Sequence, residues 1–534
     1  MSVPADAGPE RPPRVAWGLY KRLVIGGTLI ILLTAASVST AALLQVKHVG
    51  DIINRYQPHV AFKPGTITKA EAGKPQTILL VGSDRRYGAG KGDARSDTLM
   101  LVRLDPGQQA TAVLSIPRDL VVDVPGHGRT KINAAYSYGG LDLTVRTVKQ
   151  LLSASGTPFK INHAVGVNFS GFRQAVDFLG CVYVDVDRRY YHSNLGLPPS
   201  QQYAEIDVQP GYQRLCGQKA LDYVRFRHQD NDLVRAARQQ DFLRAAKDQV
   251  STSRLLGNLD SLVTIFAKST EADSNLGSST GILRLLKLAA FSTGHPVRQI
   301  QFPATFVQSA PTTTAPGLQA SAPATGLGDY VTASQESLAR IVDQFLHAKA
   351  ETTARKKASR SARRTAKQTS PKRGTAQPGD YGLVDARRTG EDLVATTVAS
   401  GRLKGLPLYF PAWLTGNGRY PQSTGTARMP YVYTLRDRAG KPHAAYRLVV
   451  LENLDEGQYY GVQGTTWRAP PILTKGTDTV RMAGRTYKVA YDGSRIRTVA
   501  WRTPRGVYWV SNSLLGRLTN RQMLGVARSL TRFR

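Results

Sequence analysis

Acidic residues are scarce in this 534-residue sequence: 38 Asp and Glu stand against 71 Lys and Arg, a formal net charge of +33 at neutral pH. Such an excess makes polyanions the first partners to consider, among them nucleic acids, anionic lipid headgroups and phosphate-bearing polymers. The sequence has no helix-turn-helix, no zinc-finger Cys/His spacing and no aromatic-studded RNA platform, by which nucleic-acid-binding domains are recognised. The composition therefore favours a polyanion other than nucleic acid.

Cysteine is nearly absent as well, since Cys181 and Cys216 are the only two. A zinc site built on them would need His or carboxylate ligands at suitable spacing, and the sequence offers none. An even count in a chain expected to face an oxidising compartment predicts a disulfide. Two buried free thiols are the alternative.

Long hydrophobic runs are equally rare, and the one that stands out covers residues 23–44 without a charged residue. About 20 apolar residues cross the hydrocarbon core of a bilayer, so this run predicts a transmembrane helix. A cleaved signal peptide is the alternative, but its apolar core usually spans only about 7–15 residues. Basic residues precede the run, which places residues 1–22 in the cytoplasm and the rest outside, on the membrane surface.

Beyond the predicted anchor, the sequence predicts a stalk at 45–75, a layered α/β domain at 76–348, a basic flexible linker at 349–380 and an α+β domain at 381–534. Apolar runs at 77–82, 98–104, 110–116 and 182–186 predict strands of the first domain. Helical patterns follow at 141–152, 169–179 with Ser170 as cap, 218–224, 235–250 and 330–348. Residues 349–378 have almost no large apolar residue and ten basic residues against a single acid, Glu351, so we interpret the linker as a solvated spacer or an electrostatic tether.

In the last domain we expect strands at 446–451 and 497–501 and a helix at 520–532. It holds four of the five tryptophans and no recognisable catalytic constellation. We interpret these aromatic residues mainly as core, with sugar stacking as the alternative.

Arginine and aspartate concentrate next to the apolar strands in three patches, at 82–98, 115–119 and 223–240. Asp84 follows one strand and Asp97 opens the next, and two carboxylates at a strand edge are suitable ligands for Mg²⁺.

Arg225 and Arg227 would share a face of a strand. Arg235, Arg238 and Gln239 would form one stripe on a helix. Guanidinium groups bind phosphate oxygens in a bidentate manner, so the three patches together predict a pyrophosphate clamp, whereas any one arginine alone is better explained as a surface ion pair.

Several motifs occur in a fixed order behind the predicted anchor: Arg95-Ser-Asp-Thr98, Ser115-Ile-Pro-Arg-Asp119, Lys131-Ile-Asn-Ala-Ala-Tyr136 with Gly139-Gly140, Ala220 to Arg227, and Arg238-Gln-Gln240. In this order they closely resemble the LytR-CpsA-Psr family over residues 76–348. The segment between Arg227 and Arg235 is shorter than its common form and lacks a glycine before Arg235. A disulfide at the two cysteine positions resembles actinobacterial members.

The resemblance implies a three-layer α/β/α domain with a central mixed sheet and a hydrophobic tunnel for a polyprenyl chain. It also implies transfer of a glycopolymer from a polyprenyl-pyrophosphate carrier to peptidoglycan through a phosphodiester link, with Mg²⁺ or Mn²⁺ as cofactor. Matched to the family's motifs, Asp84 and Asp97 correspond to its metal-associated acids. Asp97, Arg118 and Asp119 are the residues expected to be catalytic, and Arg85 and Lys131 also lie within the family's motifs. The side chains expected to contact the pyrophosphate are Arg85, Arg95, Arg118, Arg225, Arg227, Arg235 and Gln239.

In the mechanism that we expect, arginines and metal neutralise the departing phosphate while a sugar hydroxyl of peptidoglycan attacks the other phosphorus, with Asp97 or Asp119 as base. Two other functions remain open at this point. One is a non-catalytic carrier of polyprenyl phosphate, and the other is a membrane-bound transcriptional attenuator.

Overall fold

The computed structural model describes residues 47–56, 60–71, 73–83, 96–108, 110–153, 158–198, 202–226, 232–276, 278–292, 295–307, 330–348, 359–362, 376–399, 401–403, 405–421, 429–473 and 477–533. Within these ranges no helix combines the length and the apolar character needed to cross a membrane. The predicted span at 23–44 and the cytoplasmic segment 1–22 lie outside the described residues.

A six-stranded mixed sheet forms the centre of the N-terminal part, in the order β11-β6-β1-β2-β3-β12. Strands β1 and β6 pair in parallel, as do β3 and β12, and the other pairs are antiparallel. The strands are β1 (Gln76–Ser83), β2 (Ser96–Asp105), β3 (Ala110–Ile116), β6 (His163–Asn168), β11 (Thr270–Ala272) and β12 (Val297–Ile300).

Side chains alternate between the two faces of this sheet, so each strand serves two apolar layers. Leu79, Leu101 and Leu114 face a layer under α1 (Ala134–Leu152) and α8 (Gln335–Leu346). Ile78, Met100 and Val113 face a second layer under α6 (Leu259–Ser269) and α7 (Ser279–Phe291). This arrangement confirms the predicted three-layer α/β/α architecture with a mixed sheet.

Smaller elements complete this part of the chain. They are β4 (Val121–Val124), β5 (Gly128–Lys131), α2 (Phe169–Phe178), β7 (Val182–Val186), β8 (Tyr190–His192), β9 (Ile206–Val208), β10 (Gly211–Leu215), α3 (Gly217–Arg225), α4 (Asp232–Gln249), α5 (Thr252–Gly257), β13 (Thr305–Val307) and β14 (Tyr330–Thr332). Helix α2 is capped by Asn168, whose side chain accepts the backbone N–H of Gly171, and not by Ser170 as predicted.

The prediction of a stalk at 45–75 was wrong for the segment 47–56. This segment is helical, and Val49 and Ile53 are buried in the layer beneath α6 and α7. Its apolar residues are too few to give a clear period in the sequence, yet two of them suffice to anchor a short helix to the sheet.

A seven-stranded antiparallel sheet dominates the C-terminal part, in the order β18-β19-β20-β24-β23-β22-β21. Its strands are β18 (Tyr431–Arg436), β19 (Pro442–Asn453), β20 (Gln458–Thr465), β21 (Thr477–Met482), β22 (Arg485–Asp492), β23 (Arg495–Arg502) and β24 (Val507–Ser511). Around it lie β15 (Val384–Asp385), α9 (Arg387–Ala399), β16 (Tyr409–Pro411), β17 (Trp413–Leu414), α10 (Asn520–Arg528), β25 (Leu530–Arg532) and 3-10 turns at Pro378–Tyr381 and Pro471–Leu473. Helices α9 and α10 contribute to its apolar core, as do Trp413 and Trp501.

Most of the predicted linker 349–380 lies outside the described residues. In its described part, Ala362 is buried in the apolar core of the C-terminal part. A single turn of this segment is therefore packed, although its composition indicates a solvated spacer.

Candidate functional site

The candidate site lies at one edge of the central sheet, where β1, β3 and β6 end and β2 begins. Gly82 pairs with Thr98, and Leu99 pairs with Ile116. This register brings Asp97, just before Thr98, next to Arg118, which follows β3 by two residues. Neighbouring strands thus place motifs that are distant in sequence side by side.

Arg118 is the centre of a cluster of charged groups. Its Nη1 donates to Asp97 Oδ1 at 2.8 Å, and its Nε lies 3.4 Å from Asp119 Oδ2. Lys131 Nζ lies 3.3 Å from the other oxygen of Asp119. Asp97, Arg118 and Asp119, the three residues expected to be catalytic, therefore occupy one site.

Asp232 joins helix α4 to this cluster, a role that the sequence reasoning missed. Its Oδ2 accepts the backbone N–H of Arg118 at 2.7 Å, and its Oδ1 pairs with Arg235 one helical turn later. An acid three residues before an arginine on a helix is the signal that points to such a pair. Both side chains are almost completely buried.

Burial and neighbouring carboxylates act in opposite directions on the two guanidinium groups of the cluster. Burial opposes the charge on Arg118, but Asp119, Asp97 and Asp232 outweigh it and raise the pKa of Arg118. Arg235 lies deeper, and burial lowers its pKa although Asp232 acts in the opposite direction. Three carboxylates thus balance Arg118, Arg235 and Lys131 in a partly desolvated setting.

Arg118 has side-chain donors for which the described residues offer no hydrogen-bond acceptor. A guanidinium carries five N–H groups, and the side chain of Arg118 makes one hydrogen bond with the described residues, to Asp97. Its Nε is buried without a hydrogen-bond partner among them. With 18% of its side chain exposed, Arg118 can still bind a phosphate oxygen from the solvent side.

Gln239 and Arg225 lie on neighbouring elements of the same site. Gln239 Nε2 donates to Thr98 Oγ1 at 2.9 Å and to the backbone carbonyl of Val224 at 3.2 Å. The strand predicted at Arg225 is wrong, since Arg225 is the last residue of helix α3 and pairs with Asp222 at 2.9 Å. Its guanidinium lies over the ring of Phe169, 5.5 Å from the centroid. Among the described residues, Gln239 connects the end of α3, next to Arg225, with Thr98 at the start of β2.

Arg238 does not belong to the stripe predicted on helix α4. Its guanidinium is fully buried, 4.5 Å from the ring centroid of Tyr190, and donates to the backbone carbonyl of Phe226. Residues three and four apart share a helix face, but side chains on the same face can still contact different parts of the protein. Arg235 points to the charged cluster, whereas Arg238 stabilises an aromatic core.

Tyr136 is a further residue of the site, after Asp232, to which the sequence analysis assigned no role. Its hydroxyl donates to Glu271 Oε2 at 3.1 Å and lies 3.5 Å from Ser83 Oγ. Ser83 ends β1, directly before Asp84, so this trio lies at the same edge of the sheet. Tyr136 belongs to a motif noted in the sequence, whereas Glu271 has no sequence signal.

Four predicted site residues, Asp84, Arg85, Arg95 and Arg227, lie outside the described residues. The described part of the metal prediction is compatible with a divalent cation. Asp97 has 27% of its side chain exposed, and only its Oδ1 is engaged by a described residue. Mg²⁺ commonly takes one or two carboxylates and completes its shell with water and phosphate.

The cysteine prediction is confirmed, because Cys181 and Cys216 form a disulfide between the end of α2 and the start of α3. Asp177 lies close enough to both sulfurs to suggest a metal site on distance alone. Sulfurs joined in a disulfide are not thiolate ligands, and Asp177 accepts the backbone N–H of Gly217 at 2.8 Å. This group is structural.

Comparisons with known proteins give consistent results. The model of the LytR_cpsA_psr family matches residues 42–321. The polyisoprenyl-teichoic acid–peptidoglycan teichoic acid transferase TagT of Bacillus subtilis (strain 168) is 29% identical over 271 residues, 49% of this chain and 80% of TagT. The enzyme of the same description called TagU in Bacillus cereus (strain AH820) is 33% identical over 252 residues, 46% of this chain and 74% of TagU. A solved structure of B. subtilis TagT is 26% identical, with a TM-score of 0.39 over 54% of this chain and 98% of that chain.

Proposed function

Because this chain belongs to the LytR_cpsA_psr family, we propose that it transfers a glycopolymer from a polyprenyl-pyrophosphate carrier to peptidoglycan and leaves a phosphodiester link. Its curated relatives are named as transferases of this kind. The observation that carries the proposal is Arg118, whose pKa three carboxylates raise against the effect of burial, and whose side chain makes one hydrogen bond among the described residues. Such a group suits a diphosphate and has no need of a covalent nucleophile.

In the proposed reaction, a sugar hydroxyl of peptidoglycan attacks the phosphorus that bears the glycopolymer. A new P–O bond forms, the bridging P–O bond of the pyrophosphate breaks, and polyprenyl phosphate leaves. The hydroxyl proton passes to Asp97 or Asp119, both beside Arg118. Arg118 stabilises the negative charge that develops on the phosphate oxygens, because its donors are already oriented.

The other predicted pyrophosphate ligands differ in how closely they can approach a substrate. Gln239 and Arg225 border the site, whereas Arg235 is 5% exposed and committed to Asp232. We assign Arg235 to orienting Asp232 and Arg118 and not to direct contact with substrate. Asp97, together with Asp84, would hold Mg²⁺ or Mn²⁺, which would supply further neutralisation of phosphate charge.

For the polyprenyl chain we propose the apolar layer beneath α6 and α7. Many of its leucines and isoleucines are only partly buried, among them Leu80, Leu243 and Leu283. The layer on the opposite face consists mainly of fully buried side chains. Loosely packed apolar surface next to a charged site suits a lipid pyrophosphate.

We further propose a single-pass membrane protein whose globular parts lie outside the cytoplasm. The apolar run at 23–44 and the basic residues before it support this topology. The disulfide supports it too, because disulfides persist mainly in oxidising compartments.

The test is transfer by the full-length chain from a lipid-linked oligosaccharide to peptidoglycan fragments, with Arg118→Ala and Asp97→Ala as variants. We expect both to lose at least about 100-fold in rate, since a preorganised charge-stabilising group typically contributes that much. Arg340→Ala is the control, because this exposed arginine lies on α8 away from the site. Wild-type activity in both site variants would reject the proposed centre, and a lipid-binding chain without product would identify a carrier.

A further inference from the structure

A polar cleft of about 720 Å³ lies between helix α4 and loops of the C-terminal sheet. One wall consists of Leu233, Ala237, Gln240 and Arg244, which recur every three or four residues and so share a helix face. The opposite wall is formed by residues 492–498 and 511–517. The volume lies within the range of roughly 300–1,000 Å³ typical of ligand pockets.

The cleft is accessible from solvent and is distinct from the site around Arg118. Exposed residues at its rim include Gln301, Ser494 and Arg495. The wall at 492–517 lies beyond residue 321, outside the segment that the family model matches. The cleft therefore depends on the C-terminal part of this chain.

Cationic groups outnumber anionic groups in the lining, with six arginines against four aspartates. The arginines are Arg244, Arg298, Arg447, Arg495, Arg497 and Arg517. The aspartates already have protein donors: Asp185 accepts from Arg447, Trp509 and Ser511, and Tyr190 donates to Asp187 at 2.6 Å. Asp241 and Asp492 both pair with Arg244, Asp241 also lies 3.9 Å from Arg497, and Arg517 pairs with Glu456 outside the lining. The lining still carries more positive than negative charge, and Arg495 contributes to it from an exposed position.

Several buried polar atoms of the lining have no hydrogen-bond partner among the described residues. They are Ser115 Oγ, Gln299 Nε2, Arg447 Nε and Arg497 Nε. Ser115 is 3% exposed and Arg447 is fully buried. Buried polar groups are normally hydrogen-bonded, so these unpartnered atoms of the lining favour an occupant that carries hydroxyl groups.

We propose that this cleft binds a hydroxyl-rich, anionic glycan segment. Hydroxyl groups match the amide and serine side chains, and phosphate or carboxylate groups match the arginines, which bind both in a bidentate manner. This inference rests on the proposed function, because an anionic glycan would be either the polymer that is transferred or the peptidoglycan that receives it.

The experiment measures binding of short glycans to the full-length chain by calorimetry. The probes are a glycerol-phosphate oligomer, a peptidoglycan disaccharide-peptide and a neutral oligosaccharide of similar length. Arg495→Gln and Arg497→Gln each remove one cleft arginine. Arg502→Gln is the matched control, since it removes the same charge from an exposed position on the same strand outside the lining.

We expect one anionic probe to bind, and each cleft variant to weaken its binding about tenfold, as the loss of one charge-assisted hydrogen bond predicts. The control should keep the wild-type affinity, which separates the cleft from general attraction to a basic protein. Arg495→Gln changes an exposed side chain, so the test does not depend on a buried variant that fails to fold. Hydrogen exchange should slow at 492–498 and 511–517 when the probe binds.

The source of the glycan follows from which anionic probe binds. Equal affinity of wild type, cleft variants and control would overturn the proposal, as would stronger binding of the neutral probe. Arg118→Ala should bind the glycan like wild type, because Arg118 lies outside the cleft. A chain that binds glycan but yields no transfer product would contradict the proposed function alone, and one that transfers without binding in the cleft would contradict this inference alone.

Discussion

At the scale of single residues, Asp232 connects two elements of the candidate site. It holds the backbone of Arg118 and the guanidinium of Arg235, and so fixes a loop and a helix against each other. Sequence reasoning identified Asp97, Arg118 and Asp119 because they lie in short motifs beside strands. It missed Asp232 because this residue lies 114 residues from Arg118 in the sequence. Contacts between residues so far apart depend on the fold and leave no local pattern.

Asp232→Asn should lower both stability and activity. Removing one charge of a buried pair leaves the other uncompensated, which typically costs about 3–5 kcal/mol. Thermal unfolding and the transfer rate are the two measurements. The second variant, Asp232→Asn with Arg235→Met, should recover much of the stability but not the rate.

Asp343→Asn serves as the control, because its pair with His347 is largely exposed and such pairs contribute about 0–1 kcal/mol. If Asp232→Asn unfolds at the same temperature as Asp343→Asn, the buried pair does not hold the site together.

At the scale of elements, apolar patterns predicted three of the six strands of the central sheet, β1, β2 and β3, and helices α1 to α4, α8 and α10. They did not predict β6, β11 or β12, of which the last two have only three and four residues. Arg225 shows where this reasoning fails: alternation with Arg227 suggests a strand, but the residue ends helix α3. A short segment near a helix end contains too few residues to distinguish the two-residue repeat of a strand from the 3.6-residue repeat of a helix. Arg238 fails for another reason, because a helix pattern does not tell a charged neighbour from an aromatic one.

The paired glycines of helix α1 have a clear structural reason. Gly140 has φ 61° and ψ −151°, a conformation that is essentially restricted to glycine, and it breaks the helix just after the turn that carries Tyr136. We expect Gly140→Ala to cost about 1–3 kcal/mol of stability. It should also lower transfer, because Tyr136 would move away from Glu271 at the edge of the sheet.

Gly107→Ala is a suitable comparison, since this turn glycine has no positive φ and ordinary space around its Cβ. Chemical denaturation and transfer assays of the two variants check the prediction. Equal stability of Gly140→Ala and Gly107→Ala would show that the break in α1 is not constrained.

At the scale of the whole molecule, the N-terminal and C-terminal parts are joined by buried polar contacts. Asp185 on β7 accepts from Arg447 at 3.0 Å, from Trp509 at 3.0 Å and from Ser511 at 2.6 Å. Tyr183 packs against Trp467, and its hydroxyl donates to the carbonyl of Arg436. The sequence predicted two separate domains but gave no sign of this junction. The residues that form it lie within strands, where their sequence neighbours do not distinguish them from other strand residues.

Asp185→Asn should destabilise the junction, because Arg447 would keep a fully buried charge without its carboxylate. The expected loss is about 3–5 kcal/mol. Tryptophan fluorescence during denaturation reports it, since four of the five tryptophans lie at 413–509. Asp207→Asn is the control: it removes an exposed partner of Arg189, so an equal shift in both variants would speak against a structural role for Asp185.

Helix α4 borders both regions of interest, with Asp232 and Arg235 on one side and Gln240 and Arg244 on the other. Thermodynamic linkage makes any coupling between the two sites through this helix reciprocal. If a ligand bound in the cleft raises the affinity for the lipid pyrophosphate by some factor, the lipid pyrophosphate raises the affinity of the cleft for its ligand by the same factor. The enzyme would then retain its second reactant best when the first is already in place, and release both more readily once the bond between phosphates is cut.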